Sequence, residues 1–167
     1  DIEAQGFQTV YDAVSNLTQN TGSVNSENFQ AGFNGSLQPI NLRDVGPGRT
    51  LVLVNGKRTA DYPFPYNGES ASFNYAAIPL AAVDRIEVLT SGASSIYGSD
   101  AVAGVVNIIL VDGLEDKTFR AQVGGGVGAG TGGETVNFEF AGGGFTDRLS
   151  YTYALEYRDE QPIPIQS

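Results

Sequence analysis

The stretch from Val83 to Leu110 constrains the fold of this 167-residue chain more than any other. Its first part, residues 85–89, alternates charged with aliphatic side chains, as in a strand with one face in water. It closes with residues 104–110, a nearly continuous β-branched run that is typical of a strand buried on both faces. Between the two strands, glycines mark turns and leave residues 94–97 for about one helical turn. The sequence therefore predicts a half-exposed strand, a turn of helix and a core strand in that order.

The residue types that are absent exclude several classes of function. The chain contains neither Cys nor His. Zinc sites are built mainly from these residues, and the common nucleophilic triads need one of them. We therefore predict that the protein is not an enzyme and holds no metal or cofactor. The net charge of −10 also disfavours nucleic acid as a partner, because phosphates are bound by Lys and Arg.

Hydropathy and glycine content indicate a β-rich protein. No apolar run approaches the ~20 residues of a membrane helix, so any membrane role would depend on strands. The chain has 22 Gly and 41% hydrophobic residues, which is too apolar for disorder and typical of a turn-rich β protein. Residues 1–111 mix short helices with strands, whereas residues 112–167 show only strand patterns. We expect one domain in each range, joined by the acidic segment 112–116.

Short signals organise the first domain. Thr9 and Asp12 match a capping box, and apolar residues recur at helical spacing behind Thr9, at Val10, Val14 and Leu17. This pattern predicts an amphipathic helix of about three turns. The polar residues from Gln19 to Gln38 show no period and indicate a long loop. Asn55-Gly56 after an apolar run predicts a tight hairpin. We expect six aliphatic residues to share one core: Val52, Val54, Ile86, Val88, Val105 and Ile108.

The second domain shows period-two alternation in about three strands. They are centred on residues 119–123, 136–140 and 149–157, with a connection at 124–133 and a short turn from Gly142 to Asp147. A soluble antiparallel sheet would alternate in the same way. The glycines of residues 124–133 also satisfy a dinucleotide-binding fingerprint, but that motif should open a helix and a strand is predicted here instead. Nucleotide binding, and with it a nucleotide-dependent enzyme, is therefore disfavoured.

Four segments together resemble the plug of TonB-dependent outer-membrane receptors. Residues 84–88, 95–101 and 104–109 match the order in which that plug ends, and residues 46–58 resemble its middle. Two departures accompany the likeness. The family often has glycine after the arginine that matches Arg43, where this chain has Asp44, and many members carry Arg-Gly-Pro in place of residues 90–92.

The resemblance implies an α+β plug domain with a small mixed sheet, followed by the first antiparallel strands of a transmembrane β-barrel. It places the protein in the outer membrane of a Gram-negative bacterium, with the plug inside the barrel lumen and the strands against lipid. Two or three strands cannot close a barrel of about 22, so the chain is expected to be a fragment. The box that engages TonB would lie upstream of Asp1, and no convincing match to it is present.

The function implied is that of a gate for energy-coupled uptake of a scarce ligand such as a siderophore, cobalamin or an oligosaccharide. The plug alone does not fix that ligand. A secreted β-rich ligand-binding or adhesion module is the alternative, because the strand pattern and an aromatic-rich loop also fit it. On the receptor interpretation, the loops at residues 19–38 and 60–76 should face outward.

Two sets of residues are candidates for function. Aromatic side chains cluster in the second outward loop, where they would suit sugar rings or catecholate-like faces: Tyr62, Phe64, Tyr66, Phe73 and Tyr75. Packing against the barrel wall is the other interpretation of this cluster. Four charged residues would pair with groups on the barrel, or remain as solvated surface charges: Arg43, Arg49, Arg85 and Glu87. In the second domain, apolar residues should point outward and polar residues toward the lumen.

Overall fold

The computed structural model describes residues 7, 9–18, 37–46, 48–63, 71–113, 118–124 and 134–160. The chain divides into two compact units, Asp1–Leu110 and Val111–Ser167, called here the N-terminal and C-terminal units. Each unit has its own sheet. The fold class predicted from the sequence is confirmed, since a mixed-sheet unit with short helices precedes an antiparallel sheet.

The N-terminal unit is built on a four-stranded mixed sheet. Its strands are β1 (Thr50–Val54), β2 (Lys57–Arg58), β3 (Val83–Leu89) and β4 (Gly104–Leu110), in the spatial order β2-β1-β4-β3. Strand β4 runs parallel to β1 and antiparallel to β3. The predicted contrast is confirmed, because β4 is largely buried at the centre and β3 is a half-exposed edge.

The turn between β1 and β2 is the hairpin predicted from Asn55-Gly56. Both residues have left-handed backbone, with φ of 49° and 74°, as a type I′ turn requires. The Asn55 amide donates to the Ile108 carbonyl at 2.9 Å, and its side-chain oxygen accepts from the Leu110 amide at 2.9 Å. The hairpin is therefore fastened to the end of the central strand.

Alternation along β1 and β4 divides the core between the two faces of the sheet. Helix α1 spans Val10–Ser15 and helix α2 spans Ala93–Tyr97. Val52, Val106 and Ile108 pack on one face of the sheet with α1, while Leu51, Leu53 and Val105 pack on the other with α2 and the 3-10 turn Ser99–Ala101. The prediction that Val105 shares a core with Ile108 is wrong. Neighbours separated by an odd number of positions point to opposite faces of a strand.

Helix α1 begins as predicted and ends early. Thr9 caps it, with Thr9 Oγ1 accepting from the Asp12 amide and Asp12 accepting from the Thr9 amide, both at 3.0 Å. Six residues are helical, so the predicted three turns are wrong. Asn16 occupies the C-cap, where its side-chain amide donates to the Asp12 carbonyl at 2.9 Å. Within the described part of the chain, no helix is long and apolar enough to cross a membrane.

The approach of β3 to β4 depends on Gly104. A Cβ at this position would lie 2.7 Å from the Leu89 carbonyl oxygen, and the φ of 144° is itself unfavourable for other residues. Helix α2 forms the single turn predicted before it, and the chain re-enters the sheet after residues 99–101. Glycine is therefore needed where the last strand enters the sheet.

The C-terminal unit is an antiparallel meander of β5 (Thr118–Gly124), β6 (Thr135–Thr146) and β7 (Leu149–Glu160). Strand β6 follows the glycine-rich residues 124–133, where a dinucleotide site would need a helix. The turn predicted at Gly142 to Asp147 is wrong, because β6 continues to Thr146 and residues 147–148 make the turn. Tyr153 covers Gly142 from the neighbouring strand, so that a Cβ there would lie 2.6 Å from its hydroxyl. Aromatic cover of this kind stabilises glycine within a strand.

The two faces of this meander differ in character. Large apolar residues stand exposed on one face, as Phe138 (42% exposed) and Leu155 (66%) show. The opposite face carries Asn137 and Glu139, which are 3% and 2% exposed, and the Asn137 amide donates to Glu139 Oε1 at 3.1 Å. The period-two alternation predicted for these strands is confirmed by the register.

Candidate functional site

The aromatic loop, residues 60–76, has a closed base. The Tyr62 amide donates to the Ser72 carbonyl at 2.9 Å, which brings the two ends of the loop together. Phe64 and Tyr66 lie outside the described residues. Tyr62 and Phe73 are partly buried, so each retains some surface.

Tyr75 is a core residue. Its side chain is 2% exposed, and its ring meets that of Phe73 edge to face, with centroids 5.2 Å apart. Its hydroxyl has no hydrogen-bond partner among the described residues, and burial raises its pKa far above the ordinary value. Stacking on a ligand would require the ring to leave the core. Its burial favours the packing interpretation, and ligand contact at Tyr75 stays a prediction.

Arg85 and Glu87 belong to a polar row on the face of the sheet that also carries Leu53 and Val105. Arg85 lies 2.7 Å from Asp84 and 2.9 Å from Glu87, and these hydrogen bonds raise its pKa. Glu87 also accepts from the Asn107 side chain at 3.1 Å, and Asn107 in turn accepts from the Gly56 amide at 3.0 Å. Both predicted residues therefore have partners within the N-terminal unit.

Arg43 and Asp44 form a turn with unusual backbone. Both have left-handed φ, 58° and 54°, which is uncommon outside glycine. Asn41 braces the turn by donating to Asp44 at 3.0 Å and accepting from the Gly46 amide at 2.7 Å. Arg43 reaches the Thr90 carbonyl at 3.1 Å. Asp44 thus adopts a conformation suited to glycine, at the position where the family often has glycine.

Arg49 is exposed and forms no ion pair with a described residue. It lines a cleft of about 320 Å³ beside Thr50, Arg58 and Asp100. Pairing of Arg43, Arg49, Arg85 and Glu87 with groups on a barrel stays a prediction.

Sequence reasoning missed the ion pair on the wall of this cleft. Arg58 Nη1 lies 2.8 Å from Asp100 Oδ2, and Arg58 Nη2 donates to the Tyr97 carbonyl at 2.5 Å. The hydrogen bond from Arg58 holds the pKa of Asp100 below its ordinary value of 3.8. The two residues are 42 positions apart, and no local pattern links them.

The described residues contain no group of three or more His, Cys, Asp or Glu placed to hold a metal ion.

Comparison with known proteins identifies the N-terminal unit. Residues 1–105 match the TonB-dependent receptor plug domain. The chain is 34% identical over 110 residues to an iron-regulated outer membrane virulence protein of Vibrio cholerae, covering 65% of this chain and 16% of that protein. The chain thus spans about a sixth of that relative's length.

Solved structures extend the likeness. The ferric enterobactin receptor PfeA of Pseudomonas aeruginosa, in complex with enterobactin, is similar with a TM-score of 0.63 and 26% identity, over 93% of this chain and 23% of that one. The ferric citrate transporter FecA in its unliganded form has a TM-score of 0.57 at 20% identity, over 90% of this chain and 23% of that one, and shows the fold alone. These relatives are receptors and transporters of the outer membrane, not enzymes. This agrees with the prediction that the protein is not an enzyme and with the outer-membrane location that the resemblance implies. The family match over residues 1–105, on a unit with the expected mixed sheet, shows that this chain belongs to the plug-domain family of TonB-dependent receptors.

Proposed function

We propose that the chain is the gate of a TonB-dependent importer and the start of the barrel that surrounds it. The observation that supports this most directly is the passage from a plug unit, at Val111, into strands that expose an apolar face. In a barrel, that face would contact outer-membrane lipid, and the polar face would line the lumen. A β-rich secreted module would have no evident use for a plug.

The ligand we propose is a ferric siderophore. The relative from Vibrio cholerae is named as iron-regulated, and PfeA is named as a ferric enterobactin receptor. Aromatic side chains beside polar groups suit catecholate-like faces, because they offer large amphipathic surface at low entropic cost. Cobalamin and oligosaccharides are the competing ligand classes, since the fold does not fix the ligand.

The proposed mechanism is conformational. Ligand bound at the outward loops would shift the plug toward a state that TonB recognises, and pulling by TonB through an N-terminal segment would open the lumen. Among the described residues Arg49 has no ion-pair partner, whereas Arg85 and Glu87 pair with each other and Arg43 donates to the Thr90 carbonyl, so Arg49 is the strongest of the four charged candidates for pairing with a barrel carboxylate. Such pairs would hold the plug in place until force is applied.

Uptake by cells that carry the intact receptor tests the ligand class. We expect growth under iron limitation, and accumulation of radioactive iron, with a ferric catecholate supplied as the only iron source. Unlabelled ferric catecholate should compete, whereas cobalamin and oligosaccharides should not. Competition by cobalamin or an oligosaccharide alone would contradict the proposal that the ligand is a siderophore, but not the proposal that the protein is an importer.

Truncation of loop aromatics tests their role in capture. We expect Tyr62→Ala, Phe64→Ala and Tyr66→Ala each to weaken binding by about 1–3 kcal/mol if stacking carries affinity. Phe145→Ala removes an exposed aromatic of the C-terminal unit and serves as the control, with no change expected. Loss of barrel assembly together with binding, detected by heat-modifiable migration, would show that these residues pack and do not contact ligand.

A further inference from the structure

The base of the aromatic loop is held to the N-terminal unit by two different means. The loop base comprises residues 59–63 and 71–74. Its second stretch is anchored in the core, where Phe73 packs and Tyr75 follows. The Asn74 side chain also accepts from the Gln38 amide at 3.4 Å and from the Ala76 amide at 3.2 Å. This stretch cannot move without disturbing the core.

The first stretch has no such anchor. None of residues 59–63 is buried. They follow β2, which pairs with β1 at only two positions. Tyr62 is hydrogen-bonded to Ser72, and Thr59 Oγ1 donates to the Val52 carbonyl of β1 at 3.2 Å. A side chain just before this stretch adds a further link to the N-terminal unit.

That side chain is Arg58. Arg58 is the last residue of β2, and its guanidinium group donates to the Tyr97 carbonyl at the end of α2 and to the Asp100 carboxylate in the following 3-10 turn. The same turn leads through Ala103, whose amide donates to the Arg49 carbonyl at 2.9 Å, into the central strand β4. The Arg58–Asp100 pair forms part of the wall of the 320 Å³ cleft, and Thr59, Asp61 and Ala71 of the loop base also line that cleft. The loop base therefore has space beside it.

We propose that Arg58 is a positioning residue that joins the loop base to residues 97–101, and that opening of its ion pair with Asp100 releases the first stretch of the loop. The two side chains are 51% and 61% exposed, and exposed ion pairs are weak. The link can therefore open while both cores remain packed. Because residues 97–101 lead into β4, a change at the loop base would reach the central strand through this link.

Hydrogen exchange of the intact receptor, without ligand, tests the link independently of the proposed function. In Arg58→Gln, we expect peptides covering residues 59–63 and 97–101 to exchange about three- to tenfold faster, since the amides of Tyr62, Gly98 and Ala101 report local opening. Asp100→Asn should give a smaller increase in the same two segments, because the bond to Tyr97 remains. The double variant should match Arg58→Gln, as expected of residues that act through each other.

Two controls separate release from general destabilisation. Lys57→Gln removes the same charge from the neighbouring exposed position of β2 and should leave both segments unchanged. A peptide covering residues 50–55 should exchange as in wild type in every variant. The proposal is overturned if Arg58→Gln and Asp100→Asn exchange like wild type, if the two effects simply add, or if residues 50–55 accelerate to the same extent.

Discussion

The two sheets of this chain differ in how their faces are covered. The N-terminal sheet packs a hydrophobic cluster from its own unit against each face, with Ile108 on one side and Val105 on the other. The C-terminal sheet leaves one face exposed, and that face is rich in large apolar residues such as Phe138 and Leu155. The first unit therefore encodes a core, whereas the second encodes a surface that needs an apolar environment.

The use of glycine differs in the same way. In the N-terminal unit, glycines take left-handed backbone at turns or admit a close strand, as Gly56 and Gly104 do. In the C-terminal unit, Gly142 and Gly144 lie within a strand and are covered by Tyr153 and Tyr151 across it. Glycine thus lies at strand boundaries in the N-terminal unit and makes room for aromatic rings within a strand of the C-terminal unit.

The largest expected effect is at Ile108, which is fully buried. We expect Ile108→Ala to lower the free energy of unfolding of residues 1–111 by about 2–5 kcal/mol, through lost burial and the cavity left behind. Chemical denaturation followed by circular dichroism measures it. Ile109→Ala, on the opposite and more open face, is the matched control and should cost less. Equal effects would mean that the two faces are not distinct.

A charge on the exposed apolar face comes next. We expect Phe138→Lys to destabilise the assembled barrel by about 2–4 kcal/mol if this position lies near the midplane of the bilayer. Leu149→Lys, on the same face beside the turn at residues 147–148, should cost about 0–1 kcal/mol, because the penalty falls toward the interface. The free energies of unfolding of the two variants are compared in the intact receptor in lipid vesicles. A similar cost at both positions would remove the depth dependence.

The glycines under the tyrosine rings should respond to a single methyl group. We expect Gly142→Ala to cost about 1–3 kcal/mol, because its Cβ would overlap the Tyr153 ring and force it aside. Gly144→Ala should cost less, since its nearest atom in Tyr151 lies at 3.1 Å instead of 2.6 Å. Unfolding of the intact receptor measures the loss of stability in both variants. If Tyr153→Ala fails to relieve the effect of Gly142→Ala, the ring is not its cause.

The smallest effect is expected at the start of α1. Thr9→Ala should lower the stability of the N-terminal unit by about 1 kcal/mol, because the Asp12 amide loses its cap. Thr18→Ala changes an exposed threonine beyond the helix and should have no measurable effect. Denaturation midpoints of the two variants should therefore differ. Coincident midpoints would show that the cap contributes nothing.

Local patterns predicted local structure well. The hairpin at Asn55-Gly56, the cap at Thr9 and the alternation in β6 each depend on a few neighbouring residues, and each is present in the structure. The division of the core was not predicted, because β4 is apolar on both faces, and its residues look alike in sequence although alternate ones join different clusters. The turn after β6 was misplaced because glycines suggest a turn whenever the aromatic rings that cover them cannot be seen.

The candidate site was less predictable than the fold. Clustering in sequence brought Tyr75 into the aromatic set, but its ring is held in the core by contacts with distant segments. Arg58 and Asp100 carry no local signal, and they meet because the fold brings the end of β2 beside the 3-10 turn Ser99–Ala101. Contacts between residues far apart in sequence can be identified only when the fold is known.

Labelling of single cysteines in the intact receptor tests whether the exposed apolar face of the C-terminal sheet lies against lipid, and this chain contributes no cysteine of its own. Probes would be attached to two neighbouring pairs, Phe138→Cys with Asn137→Cys and Leu155→Cys with Ala154→Cys, and exposed to a quencher carried by lipid chains. We expect strong quenching at positions 138 and 155 and little at positions 137 and 154. Equal quenching within each pair would contradict it, since neither face would then belong to the membrane.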